Sequence, residues 1–220
     1  MAHFTAAQTQ YLAAPSSPRV LTGDVPFTLA ALVLMESKTA ARIFAGKYLG
    51  TGNKREYLLS YQLSSDRYSW FVSPDGAAVT SAAANNYGPP ALNRWETVTA
   101  WHDPDRDQIG IQVGSTEETP VAHSTGVYQG TARFCFGVND GGSSYHDGSI
   151  GMVGMWKRVL GADDRAWIAA EPYAMILPAG PRRRYFTVTA LDQVFRLSRP
   201  GPRYQMTALG PRYAVKEKRR

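Results

Sequence analysis

"DGSIGMVGMWKRVLGADDRAW", residues 147–167, sets three kinds of local chemistry side by side. Asp147-Gly148 makes a turn. "SIGMVGMW" (149–156) alternates at a two-residue period and ends in tryptophan, the pattern of a strand. By that period Ile150, Met152 and Trp156 share one face, and Gly151, Val153 and Met155 the other. Both faces are apolar, which predicts a strand covered on both sides. "GADDRAWIAAE" (161–171) then has helical spacing, with Ala162, Ala166 and Ala170 on one side and Trp167 beside them. Asp163 and Asp164 stand in the first turn, where the helix dipole favours anions, and Pro172 closes the segment.

Upstream, the same two-residue period recurs without another helical stretch. "VPFTLAALVLM" (25–35), "ARIFAGKYL" (41–49), "EYLLSYQLS" (56–64), "YSWFVSP" (68–74), "WETVTAWHD" (95–103), "QIGIQVG" (108–114) and "ARFCFGV" (132–138) each predict a strand. Turn chemistry separates them at Gly50–Lys54, Ser73–Gly76, Asn85–Pro90 and Asp103–Asp107. Twenty Gly, 14 Pro and 11% aromatic residues favour strands and turns in the same way. The prediction is an all-β antiparallel sandwich with one short helix.

Charge divides the chain near "PAGPRRR" (178–184). Residues 181–220 hold 11 Lys/Arg against 2 Asp/Glu, a balance of +9, whereas the preceding residues hold 13 against 16, a balance of −3. The basic part repeats: "YFTVTALDQV", "FRLSRPGPR", "YQMTALGPR" and "YAVKEKRR" start at Tyr185, Phe195, Tyr204 and Tyr213. Units this short cannot bury a face alone and need a strand to pair with. The expected division is a domain over residues 1–175 and a basic, strand-forming extension over 176–220.

"YHDGSIGMVGMWKRVLGADDRAWI" resembles the closing signature of laminin G-like, concanavalin A-like jelly-roll domains: an Asp-Gly turn, a strand ending in tryptophan, then a basic residue, a leucine and a short helix. "HFTAAQTQYLAAP" resembles the opening strand pair of that family, "VPFTLAALVLM" its first long strand, and "RWETVTAWHDPDRDQIGIQVGS" its central hairpin. The pieces stand in the family's order over roughly residues 3–172. Ala31 replaces the usual tryptophan and Gly161 the usual Ser/Thr cap, departures of a distant member. The resemblance implies that the tryptophan-bearing strand fills the space between the sheets and that the helix covers an open end of the sandwich.

The fold also hosts glucanases, which need two carboxylates about 5–9 Å apart. Glu36, Glu56 and Glu96 are isolated in sequence and Glu117–Glu118 are adjacent, so no catalytic pair is expected and the chain is read as a non-enzyme. "DPDRDQ" (103–108) fails as a calcium loop, having Gln108 where glycine is required. Some laminin G-like domains hold structural calcium at the rim, and Asp140 and Asp147 are the candidates here. No other cofactor is expected. His102, next to Asp103, reads as a surface residue, and Cys135 as a small buried one. A lone cysteine excludes an internal disulfide. For a glycan site, composition selects Asn85, Asn86 and Tyr87 in one loop and Tyr145 in another.

Residues 1–12 lack the pattern of a secretory signal, and the longest apolar run, Phe27–Met35, is far short of the ~20 residues that span a bilayer. No membrane partner is expected, and synthesis is expected in a host cytoplasm without a signal peptide. The Arg-Tyr repeats resemble those appended to structural proteins of tailed phages. That likeness implies a virion protein, a capsid decoration or cement component, bound to other virion proteins and to itself. Its anchor would be Arg182, Arg183, Arg184, Tyr185, Phe195, Arg203, Tyr204, Arg212 and Tyr213, through strand addition to a partner's sheet edge and pairing with carboxylates. The alternative is a glycan-binding module of a tail fibre or host-adhesion protein. Interleaved Arg and Tyr also suit nucleic acid, a third reading.

Overall fold

The computed structural model describes residues 1–173 and, beyond them, only the backbone of three strands, Phe186–Ala190, Gln193–Leu197 and Ala214–Glu217. In chain order the first unit contains β1 (Ala2–Phe4), β2 (Leu12–Ala14), β3 (Phe27–Met35), β4 (Arg42–Leu49), β5 (Lys54–Gln62), β6 (Arg67–Val72) and β7 (Thr80–Ala83). There follow β8 (Trp95–Asp103), β9 (Gln108–Val113), β10 (Thr116–Glu117), β11 (Val121–Ala122), β12 (Phe134–Phe136), β13 (Gly148–Trp156) and the helix α1 (Ala162–Ala170). One sheet runs β1-β13-β3-β8-β9-β10, with β11 also on β9; the other runs β2-β12-β4-β5-β6-β7. All pairings are antiparallel. Insertion of β13 between β1 and β3, and of β12 between β2 and β4, carries the chain back and forth between sheets, as a jelly roll requires.

The period-two reading holds where it is most regular. Phe27, Leu29, Ala31, Val33 and Met35 of β3 face Tyr57, Leu59 and Tyr61 of β5 and Tyr68, Trp70 and Val72 of β6 across the core. Its centre is aromatic: Trp70 packs 5.8 Å from Phe27 and 5.9 Å from Tyr57, ring centre to ring centre. Lys47 and Glu56 lie fully buried at the core's margin, 2.6 Å apart. Glu56 also accepts from the Thr22 amide (3.0 Å) and hydroxyl (2.7 Å) and from the Gly130 amide (3.1 Å), so every lone pair of the buried carboxylate that matters is met.

Three expectations are overturned. The β3–β13 register shifts between Ile150 and Met152, a bulge that changes the alternation. Ile150 therefore faces the core together with Val153 and Met155, and Tyr57 Oη lies 3.8 Å from Met155 Sδ. Met152 and Trp156 turn to the outer face, so the tryptophan does not fill the space between the sheets. In α1 the buried residues are Arg165 and Ile168, while Ala162, Ala166, Trp167 and Ala170 are exposed. The helix lies on the outer face of the first sheet, not over an open end: Arg165 stacks 4.3 Å above the Trp101 ring and donates to Gln112 Oε1 (2.8 Å), Leu160 O (2.7 Å) and Glu117 Oε2 (2.6 Å). His102, expected at the surface, is fully buried, because its parity with Val98 and Ala100 places it on the core side of β8.

The second unit, Ala174–Arg220, contains β14 (Phe186–Ala190), β15 (Gln193–Leu197) and β16 (Ala214–Glu217) in the order β15-β14-β16. β14 pairs with both others, antiparallel in each case. Of the anchor residues, Phe195 falls on β15; Arg182, Arg183, Arg184, Tyr185, Arg203, Tyr204, Arg212 and Tyr213 lie outside the described residues.

Candidate ligand-binding face

Two segments pack onto the sheets from later in the chain. Residues 157–173 close over the first sheet, where Thr28 Oγ1 receives the Leu160 amide (3.0 Å) and donates to Arg158 O (2.9 Å). On the second sheet, the 137–145 loop runs back along β4 through Gly137 N to Phe44 O (3.2 Å), Asp140 N to Tyr48 O (2.9 Å) and Ile43 N to Ser144 O (3.2 Å). It buries Cys135, whose thiol is pushed up to about 11 by burial and the nearby Asp140 charge. On the outward side of β5, β6 and β7, Gln62, Arg67 and Phe71 are half-exposed and Ser81 is exposed, while Leu58, Ser60 and Ser69 are buried.

Register arranges that side in three rows. Leu58, Phe71 and Ser81 are mutual neighbours, as are Ser60, Ser69 and Ala83, and Gln62 stands opposite Arg67. The Ala84 amide donates to Tyr68 O (2.9 Å), carrying the β6–β7 register one residue on, and the chain turns at Asn85, whose amide donates to Ala83 O (2.9 Å). Ser60 and Ser69 are sunk between larger neighbours, and Gln62 Nε2 donates to Ser60 Oγ (2.8 Å). The reachable groups are the half-exposed Phe71, Gln62 and Arg67 and the exposed Ser81. An aromatic ring, an amide, a hydroxyl and a guanidinium on a firm sheet suit a polar ligand with an apolar face.

The four residues selected from composition are divided by the structure. Asn85 is exposed and opens the turn that follows β7. The amides of Asn86 and Tyr87 are held by the Glu118 carboxylate (2.9 and 3.0 Å), and the Tyr87 hydroxyl donates to Glu96 at 2.5 Å. Burial, then the Glu96 bond, pushes the Tyr87 phenol up to about 12. Its work is to fix the loop. Tyr145 stands apart beside Tyr11, ring centres 6.4 Å away. Gln62, Arg67 and Phe71 were not singled out in sequence, although their alternation with Tyr61, Tyr68 and Trp70 marks them as the outward set.

Asp140 and Asp147 are each turned to an arginine, Asp140 to Arg133 Nε (2.5 Å) and Asp147 to Arg42 Nη2 (3.7 Å). Among the described residues no three His, Cys, Asp or Glu side chains are grouped to hold a metal ion. A cleft of about 350 Å³ between the β8–β9 turn and the start of α1 is lined by charge, but those charges are spent on each other, Arg106 on Asp103 (3.0 Å) and Arg165 on Glu117. The isolated carboxylates are likewise engaged, Glu56 by Lys47, Glu96 by Arg94 (2.8 Å) and Glu36 by His3 (3.2 Å). Among the described residues no helix is long and apolar enough to cross a membrane.

This two-sheet topology and its closing strand–helix segment define a lectin-like jelly roll. A laminin G family model described as the concanavalin A-like lectin/glucanases superfamily matches residues 6–164, and the chain belongs to that family. Among solved structures, the CBM40 of Ruminococcus gnavus IT-sialidase is similar at 13% identity and a TM-score of 0.55, over 73% of this chain and 98% of that one. Domain 4 of AbnA, an extracellular arabinanase of Geobacillus stearothermophilus in complex with arabinotriose, is similar at 11% identity and 0.52, over 73% and 81%. A Bacteroides ovatus protein described as carbohydrate binding is similar at 16% and 0.54; 71% of this chain is covered but only 43% of that protein's length. At these identities the likeness concerns the fold. No curated protein matches the chain.

Proposed function

We propose that this chain is a glycan-binding module without catalytic activity, and that sugars dock on the outward side of β5–β7. One observation carries the reading: the outward side of β5–β7 presents the half-exposed ring of Phe71 on the same sheet face as the half-exposed Gln62 and Arg67 and the exposed Ser81. The CBM40 neighbour has also been solved bound to α2,3 and α2,6 sialyllactose, and such modules are company for this reading. Glu36, Glu56 and Glu96 are each held by a basic side chain, which counts against a glycosidase pair among them.

Glycan-array binding of the full-length chain, followed by calorimetry on the best ligand, tests the reading. Phe71→Ala should weaken binding about tenfold, since an aromatic contact of this kind is worth about 1.4 kcal/mol with its buried area. Tyr145→Ala, away from the face, should leave affinity unchanged. Equal affinity of Phe71→Ala and the parent chain would remove the face from consideration.

The narrower setting, a tailed-phage particle protein, draws on the +9 charge and repeats of residues 181–220 alone. It is compatible with sugar binding, as in an adhesion protein, and is settled by whether particles lacking this chain lose a surface component.

A further inference from the structure

We infer that β2 is an interface between two copies of this chain, joined edge to edge about a two-fold axis at Leu12. The two sheets end in β1 and β10 and in β2 and β7. β1 carries the His3–Glu36 pair and β10 the Glu117–Arg165 pair, charges that resist the addition of a further strand. β7 is tied to its surroundings, with Thr80 Oγ1 3.0 Å from His123 Nδ1 and the following Asn86 and Tyr87 amides held by Glu118. β2 has no such protection. Tyr11 is 42% and Leu12 55% exposed, Ala13 is exposed too, and no charged side chain occurs in residues 4–18. Among the described residues, the backbone of residues 11–14 pairs with β12 alone, which leaves its other side without a partner. Leu12 lies on the core side with Phe134 and Phe136, so the core meets water there. A neutral, apolar, exposed edge is a template for another strand.

The occupant that fits is a second β2. Thr9 is left-handed at φ 53° and Pro15 has no amide to donate, so the stretch able to pair is residues 10–14. Its middle residue is Leu12. Antiparallel pairing about that residue sets Leu12 against the partner's Leu12, Tyr11 against the partner's Ala13 and Gln10 against the partner's Ala14. Large then meets small on either side of the axis, and no charge is buried. A foreign strand would find little here to select it, since Leu-Ala-Ala offers neither charge nor pocket. The joined sheets place both outward faces on one side, with β6 about 43 Å from its copy at nine strand spacings. The contact itself does not depend on the glycan-binding reading. With that reading it means that two sugar faces meet one surface together, which raises avidity without any new sugar contact.

Sedimentation equilibrium of the full-length chain should show a monomer–dimer equilibrium, and should do so at high salt, where the attraction of the basic tail is screened. Leu12→Lys places like charges across the axis and removes two buried leucines, so it should raise the dimer Kd more than about 100-fold. Leu12→Glu should do the same. Both variants should keep the parent's unfolding midpoint under conditions where the parent is monomeric, because the side chain is exposed in the single chain. An equimolar mixture of the two variants should dimerise again at low salt, a recovery that requires residue 12 to face its own copy. A parent chain that stays monomeric at every concentration would overturn the inference. Association unchanged by either substitution would overturn it too, assigning the contact to another surface. Two weakened variants that do not recover when mixed would remove the axis from Leu12, and the inference with it. No sugar enters these measurements, so none of the outcomes bears on the glycan-binding reading.

Discussion

His146 stands edge-on between Phe4 and Phe44, ring centres 6.1 and 5.4 Å away, with no exposed surface. Burial drives its pKa down to about 4, against an ordinary 6.5, with the Arg42 charge acting the same way and Asp147 opposing. The folded state thus holds the neutral ring, while the unfolded chain binds a proton between those limits. The stability is fully present above pH 6.5 and is lost as pH falls through 4, in total about 3 kcal/mol. Urea unfolding at stepped pH should show this loss in the parent protein and a shallower slope in His146→Leu; identical slopes would refute the assignment. His102 is shifted the same way by burial. Neither histidine's burial was legible from residue type. For His102 the parity along β8 held the information, and the polar label of the side chain concealed it. Lys47 and Glu56 illustrate the complement: two charges nine positions apart look solvated in sequence, and only the closing of β4 on β5 makes them a buried pair.

At the scale of elements, long regular strands were legible because nine-residue alternations such as β3 and β8 leave one solution for the core face. β13 was not, since a single inserted residue at the bulge reverses every side chain beyond it, and Gly151 and Gly154 blur the pattern that would reveal the reversal. In α1 three alanines and a tryptophan outweighed one arginine on any hydrophobic count, yet the arginine is what the sheet accepts. Trp101 lies flat over Gly110, where a Cβ would collide with the ring, and offers Arg165 an aromatic surface rimmed by Gln112 and Glu117. Arg165→Met should therefore lower stability by about 3 kcal/mol, as when one partner of a buried pair is removed. Arg165→Lys should recover little, lacking the fork that meets three acceptors at once. Thermal unfolding of the three proteins decides it: a lysine variant equal to the parent would reduce the contact to simple charge pairing.

For the molecule as a whole, which sheet surface stays open is a matter of where distant segments land. Residues 157–173 are joined to the first sheet by hydrogen bonds spanning up to 132 positions and residues 137–145 pair along β4, and no local pattern announces where either segment lands. The charge imbalance of the sequence sets in a few residues beyond the boundary between the units Met1–Tyr173 and Ala174–Arg220. The core of the first unit is built from residues up to Ile168, and the Tyr173 hydroxyl crowds Gly151 beside Leu32, so a cut after Tyr173 leaves its packing whole. The second unit pairs its strands among themselves. Removing residues 174–220 should then leave the unfolding midpoint within about 4 °C of the parent, a shift of no more than about 1 kcal/mol for a domain this size. Net charge should pass from +6 to −3, reversing retention from a cation to an anion exchanger, while affinity for a neutral glycan is kept. Scanning calorimetry and ion-exchange chromatography on the two proteins make the comparison. A shortened chain that melts far lower or collapses into aggregates would show that the basic repeats complete the sandwich, and the division into two independent units would have to be abandoned.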